Sequence, residues 1–91
     1  MTFVYMIKDK KNRLYIGVSD NPKQRLYDHN RKLGATFTKQ GNFTIVFLEK
    51  YLILKEARSR EIQIKKWGRA KKEMLIDRFK NGLATKTVQR L

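Results

Sequence analysis

The stretch from Leu14 to His29, LYIGVSDNPKQRLYDH, constrains the fold more than any other part of the chain. Leu14, Ile16 and Val18 are apolar; between them stand Tyr15, an aromatic with a polar tip, and Gly17, which has no side chain. The pattern reads as a buried strand, Leu14 to Val18, followed by a turn from Ser19 to Pro22. A glycine inside a strand weakens it and marks a place where another group approaches the backbone closely. Asn21 is a good N-cap, Pro22 suits the first helical position, and Gln24 stands where a capping box places it. A helix therefore opens on Lys23. Arg25 and His29 then share one face, about 6 Å apart along the axis. Leu26 and Leu33 belong to the same stripe, so this face is expected to look at the core. A strand bearing Tyr15 and a helix bearing Arg25 and His29 meet at one edge of a sheet, as half of an active site does.

The rest of the chain supplies that sheet. Phe3 to Ile7, FVYMI, is an unbroken apolar run rich in β-formers, and the polar turn KDKKNR separates it from Leu14. Neither run alternates strictly with polar residues, so both faces of these strands are expected to be covered. A loop from Lys8 to Asn12 puts Tyr5 opposite Tyr15 with both phenols on one face; a loop one residue longer or shorter puts them on opposite faces. After the helix, about Lys23 to Lys32, the segment LGATFTKQGNF reads as a loop. Phe43 to Tyr51 is a third strand. Lys55 to Trp67 is a helix with Gly68 as its stop signal, and Ala70 to Lys80 is a further helix stopped by Gly82. The last eight or so residues carry no clear pattern. The 91 residues make one domain, 1–91: an α+β fold in which helices flank a small three-stranded mixed sheet, β-β-α-β-α-α.

Charge narrows the partner. The chain carries 22 Lys and Arg against 8 Asp and Glu, a formal net charge of +14. Solubility alone asks for about 2–8 on a small domain, so the excess points to a polyanion. Nucleic acid is the first expectation and an anionic membrane surface the second. No helix combines a broad apolar face with a basic one as surface anchors do, and no segment approaches the roughly 20 apolar residues of a membrane span. The chain is therefore expected to be soluble. The absence of cysteine excludes thiolate metal sites, disulfides and thiol catalysis, which is compatible with the cytoplasm. The N-terminal apolar run is too short for a signal peptide, and its charges follow it.

In the second helix Ala57, Glu61 and Ile64 share a face, so Glu61 looks towards the sheet. The plain reading of Glu61 is an i,i+4 salt bridge to Lys65, and spacing alone favours it; the functional reading is a ligand for a divalent metal. Residues 55–80 hold ten Lys/Arg and four Asp/Glu. The densest part, KKWGRAKK, offers Lys65, Lys66, Arg69, Lys71 and Lys72 to a phosphate backbone. Trp67 is read as packing over the end of its helix.

Phe3-Val4-Tyr5, Tyr15-Ile16-Gly17, Arg25, His29 and Glu61, in that order, resemble the GIY-YIG nuclease family. The resemblance runs from about Thr2 to Leu75. GVSDNPKQRLYDHN, ATFTK and REIQIKKWGRAKKEMLI look most like the small stand-alone bacterial members. The first tripeptide departs from the pattern: Phe3 and Val4 replace its glycine and isoleucine, and the tyrosine remains. Phenylalanine adds bulk at the edge of the cleft. The family implies phosphodiester hydrolysis with one divalent cation, Mg²⁺ or Mn²⁺, held by Glu61, and a small mixed sheet flanked by helices.

A hard cation stabilises charge that builds on the phosphate oxygens during hydrolysis, and one carboxylate leaves most of its coordination sphere to water and phosphate. Arg25 clamps the scissile phosphate with planar donors that lysine lacks. Tyr5, Tyr15 and His29 are the candidates for removing the proton of the attacking water, and residue types alone do not choose among them. A free tyrosine titrates near pH 10 and a free histidine near 6.5. The order expected is Tyr5 as the water-contacting base, His29 as its relay and Tyr15 as a phosphate or water positioner. Nothing in the chain resembles a base-reading module, so specificity for DNA sequence is expected to be weak or to come from a protein partner. The alternative function is a non-catalytic basic nucleic-acid-binding protein that keeps the fold.

Overall fold

Successive residues of a strand point to opposite sides of its sheet, so the run FVYMI needs apolar cover on both faces. The computed structural model describes residues 1–34 and 43–88, the side chains of 31–34 excepted, and it supplies that cover. Strand β1 (Thr2–Lys8) is the middle strand, flanked by β2 (Leu14–Ser19) and β3 (Thr44–Tyr51) in the order β2-β1-β3. Helix α1 (Pro22–Gly34) follows β2; α2 (Leu54–Lys65) and α3 (Arg69–Lys80) follow β3. The expected element order holds throughout.

Val4 and Met6 face one side and pack with Phe47, Ala57, Ile64 and Leu75, so α2 and α3 cover that face. Tyr5 and Ile7 face the other side and pack with Phe43 and with Leu26 of α1. Full burial of one such aliphatic or aromatic side chain stabilises by about 1.5–3 kcal/mol. The α2/α3 side holds the larger cluster of fully buried groups and is the base of the domain. The α1 side is thinner and carries Tyr5, Gly17 and Tyr15.

The sheet is antiparallel at both of its hydrogen-bonded pairings, where a mixed sheet was expected. The helical crossover from β2 to β3 makes those two strands run parallel, as such connections do, but β1 lies between them. They never pair. A bulge between Met6 and Ile7 sets Met6 against Phe47 and Ile7 against Ile45, which keeps each residue with partners of its own face.

The helix ends show how local chemistry sets the boundaries. The Gln24 amide donates to Asn21 Oδ1 at 3.2 Å, and the Asn21 amide donates to Ser19 Oγ at 3.0 Å, so the expected N-cap forms. The Gln24 side chain donates to Asp28 Oδ1 instead of closing a capping box. Gly68 is not the stop of α2. Its φ of −71° is ordinary, and it is the N-cap residue of α3, while α2 ends in the turn at Lys66. Gly82, at φ +71°, is the true left-handed stop. Its amide donates to the Phe79 carbonyl at 3.1 Å and the Leu83 amide to the Arg78 carbonyl at 2.8 Å, closing a Schellman motif. The loop expected over LGATFTKQGNF, like the ATFTK motif within it, lies largely outside the described residues.

The segment after α3 is tied down by a buried charge. Arg60 of α2 donates Nε to Glu49 Oε1 at 2.9 Å and Nη2 to Glu49 Oε2 at 3.1 Å. Its remaining donors reach Gln63 Oε1 (2.6 Å), the Val88 carbonyl (2.8 Å) and the Thr85 carbonyl (3.0 Å). Every guanidinium donor is therefore matched. Tyr51 donates to the same Glu49 Oε1 at 2.8 Å; burial, then this bond, pushes its phenol well above the ordinary value.

Candidate active site

Tyr5 pairs with Gly17 across β1 and β2, and Tyr15 pairs with Ile7. The connection is offset by two residues from the register that would set the tyrosines opposite each other, so both still leave the sheet on the α1 face. The Tyr5 ring lies over the backbone of Gly17: a β-carbon there would stand 2.6 Å from Tyr5 Cζ and 3.0 Å from Cε2. The close approach expected at this glycine is made by Tyr5 itself. Tyr5 is 5% exposed and Tyr15 is 41% exposed.

Tyr15 and His29 meet the same aromatic ring. Tyr15 stands edge-on to Phe43 with centroids 5.3 Å apart, and His29 contacts Phe43 at 5.7 Å. Phe43 is buried just ahead of β3, and the Asn30 side chain holds both its backbone groups. Sequence reasoning had Phe43 only as the first residue of a strand.

On α1 Pro22 is buried and Leu26, His29 and Asn30 are half-buried, whereas Arg25 is exposed. The face bearing Arg25 does not look at the core as expected. Leu26 points at the sheet, and one residue earlier on a helix is turned by about a quarter of a circle, from 3.6 residues per turn. That leaves the guanidinium of Arg25 in water beside the half-buried imidazole.

A second arginine flanks Tyr15. The Asp9 carboxylate accepts from the amides of Lys11 and Arg13 at 2.9 Å each and from Arg13 Nε at 2.7 Å. Burial pushes its pKa up, but the Arg13 amide, the Arg13 guanidinium and the Lys11 amide outweigh it and hold the group below the usual carboxylate value. The bond to Asp9, then the charges of Asp9 and of nearby Tyr15, raise Arg13. Asn12, at φ 64°, gives the turn its left-handed residue. The signal was present in the sequence as Asp9 four residues before Arg13, in a turn read only as polar.

Glu61 lies on α2, across the sheet from α1. Its side chain is 14% exposed and accepts from Lys65 Nζ at 3.1 Å. The fit of a metal rests on donor chemistry. Among the described residues no group of three His, Cys, Asp or Glu could hold an ion, so a cation at Glu61 takes one protein carboxylate and otherwise water. That arrangement suits Mg²⁺, which sheds its water reluctantly. Lys65, with its side chain 54% exposed, can leave the carboxylate without being buried unpaired. The residues fit.

Of the basic residues after Glu61, Arg69 and Lys71 have partners of their own. Arg69 Nε donates to Glu73 Oε2 at 2.7 Å, and Lys8 Nζ lies 3.7 Å from Glu73 Oε1. Lys71 Nζ stands 4.1 Å from the Trp67 ring centre, and Arg60 lies 5.2 Å from it. Trp67 packs against the α2/α3 core, as expected. Lys66 is exposed and Lys72 half-buried.

The small antiparallel sheet thus carries Tyr5 and Tyr15 on the face that α1 covers, and α1 brings His29 and an exposed Arg25 to the same side, in a strongly basic α+β domain. The sequence matches the GIY-YIG catalytic domain over residues 1–74, and the chain belongs to that family. It is 39% identical over 77 residues to a UPF0213 protein of Clostridium perfringens, covering 84% of this chain and 83% of that one. It is 34% identical over 80 residues to the UPF0213 protein YazA of Bacillus subtilis, covering 87% and 81%. The solution NMR structure of a UPF0213 protein from Bacillus halodurans is similar at a TM-score of 0.56 and 29% identity, over 85% of this chain and 84% of that one. Membership implies a nuclease-type function with nucleic acid as substrate. Among the described residues no helix is long and apolar enough to cross a membrane.

Proposed function

We propose that this chain is a cytoplasmic endonuclease that hydrolyses DNA phosphodiester bonds with one divalent cation, Mg²⁺ or Mn²⁺. Its sequence specificity is low, and selectivity comes from DNA structure or from a protein partner. The observation that carries the reading is the convergence of Tyr15 and His29 on one Phe43 ring, on the face where Tyr5 covers Gly17.

The exposures support a different division of labour from the expected order of Tyr5 as base, His29 as relay and Tyr15 as positioner. A group that takes a proton from water must reach water, and Tyr15 does so while Tyr5 is buried. Tyr15 first gives up its phenolic proton, with His29 as the acceptor that relays it to solvent; the phenolate then takes the proton of the attacking water, and Tyr5 supports the floor of the cleft. Arg25, solvent-facing on the first turns of α1, grips the non-bridging oxygens with its planar donors. Glu61 stands on the other side of the sheet from Tyr15 and His29, on a helix that also packs against β2, so it would hold a cation whose charge meets the phosphate where the DNA passes that edge strand. The water oxygen forms a bond to phosphorus as the ester oxygen leaves and is protonated from solvent. The net charge of +14 draws the DNA in, with affinity that falls steeply in salt.

The Glu61–Lys65 pair favours the second reading, a non-catalytic DNA-binding protein, since it satisfies the carboxylate without a metal. One experiment separates the two. Plasmid and branched DNA are incubated with the protein and Mg²⁺ or Mn²⁺, with chelator as control, beside Glu61→Gln. Metal-dependent cutting that Glu61→Gln abolishes, with DNA binding kept, is the expected result. Binding by both proteins with no cutting of any substrate establishes the binder.

A further inference from the structure

Phe43 stands one residue ahead of β3, outside the ladder that ends with Lys8 against Thr44. Its backbone groups are served by a side chain instead. Asn30 Oδ1 accepts from the Phe43 amide at 2.6 Å, and Asn30 Nδ2 donates to the Phe43 carbonyl at 3.2 Å. A carboxamide carries one acceptor and one donor in the arrangement of a peptide group, so Asn30 acts as a one-residue strand laid against Phe43. An aspartate there keeps the acceptor and loses the donor; an alanine loses both.

What this joint fixes is more than the start of a strand. Asn30 is the next residue after His29 on α1, and the ring of Phe43 is the one that both His29 and Tyr15 touch. Phe43 also belongs to the buried cluster of Tyr5 and Ile7. Two segments thus meet at one aromatic ring, β2 through Tyr15 and α1 through His29, and β1 joins the same buried cluster through Tyr5 and Ile7. The only described hydrogen bonds that tie Phe43 to α1 are those of Asn30.

We infer that Asn30 is a positioning residue: by clamping the backbone of Phe43 it sets the ring against which Tyr15 and His29 are held at their working separation. The inference rests on the nuclease reading for its consequence in catalysis, but the geometric claim stands on its own. Both ends of the Asn30 carboxamide are engaged by Phe43. Asn30 acts through Phe43.

The test uses the sole histidine of the chain, whose imidazole C–H signals are read directly by NMR. The edge of Phe43 shifts those signals by its ring current. In Asn30→Ala and in Phe43→Leu they should move in the same direction, towards free-histidine values, with Asn30→Asp moving less than Asn30→Ala. Single-turnover cleavage should fall about ten- to a hundredfold with KM for DNA near parental, the cost of a small misplacement at the reacting groups. A merely structural Asn30 would lower the melting temperature while leaving the imidazole signals and the cleavage rate in place, and that result overturns the inference. If Asn30→Ala does not fold, Asn30→Asp carries the same comparison. A parent that cuts no substrate removes the nuclease reading alone, because the imidazole signals still decide whether the clamp exists.

Discussion

The ring of Tyr5 rests on the bare backbone of Gly17, its partner across the β1–β2 ladder, so closely that a β-carbon would stand 2.6 Å from Tyr5 Cζ. Each residue explains the other. A tyrosine is buried on this face because its neighbour has no side chain, and the glycine is needed because the ring is there.

Gly17→Ala should therefore cost about 1–3 kcal/mol, the range for overpacking a filled site, and should lose cleavage activity along with it. The Tyr5→Leu change removes the obstructing ring end, so combining it with Gly17→Ala should restore part of the stability that Gly17→Ala alone loses. Urea denaturation of the four proteins in the cycle measures the coupling. Additive losses would show that the ring and the glycine are not in contact in solution.

Tyr15→Phe should lower the single-turnover rate of DNA cleavage by about 10²–10⁴-fold, the scale of one lost proton-transfer group. Affinity for DNA should stay near parental. Tyr5→Phe, at a phenol with 5% exposure, should slow cleavage much less. Rapid-quench measurements on both variants check the order, and the reverse ranking would return Tyr5 to the role of water-contacting base.

Arg60→Met leaves Glu49 buried without its partner. The expected loss is about 3–5 kcal/mol. Replacing both, Glu49→Leu with Arg60→Met, should recover most of it, because the pair's desolvation cost disappears together with its attraction. Chemical denaturation of single and double variants tests this; a double variant as weak as the single one would mean that the carbonyls of Thr85 and Val88, and not Glu49, are what Arg60 serves.

The Asp9 turn should set part of the acid stability. Its carboxyl is held below the usual value, so its contribution is fully present above the unfolded value, near pH 4. That contribution is lost as pH falls through the lowered folded value. Asp9→Asn should thus be less stable than the parent at neutral pH, with the gap closing in acid. Melting temperatures from pH 7 down to 2 measure it, and a gap that persists unchanged in acid would place the role of Asp9 in packing and not in charge.

Much of this was legible in the residues, and the boundary of legibility has physical causes. The elements and their order followed from FVYMI, LYIGV and the Asn21-Pro22 cap, because periodicity and capping are local. The antiparallel sheet was not, because whether β2 and β3 touch depends on where β1 sits between them. The approach to Gly17 was foreseen, and its partner was not, since the residue that fills the space is set by register. The roles of Phe43 and Asn30 are hidden for a similar reason: each works through a contact with a different segment. Arg60 is one of ten cations between residues 55 and 80, and what singles it out is Glu49, eleven residues earlier on another element.

The five-donor guanidinium of Arg60 also has a bearing on when the domain is finished. Synthesis delivers the chain N-terminus first, at about 5–20 residues per second, so Glu49 and Arg60 can meet while later residues are still being joined. Two of the acceptors, the carbonyls of Thr85 and Val88, arrive afterwards. Until they emerge, the guanidinium sits in a closing core with donors unmet, and water must stay to serve them. Residues made 25 and 28 positions after Arg60 are then the ones that dry the interior.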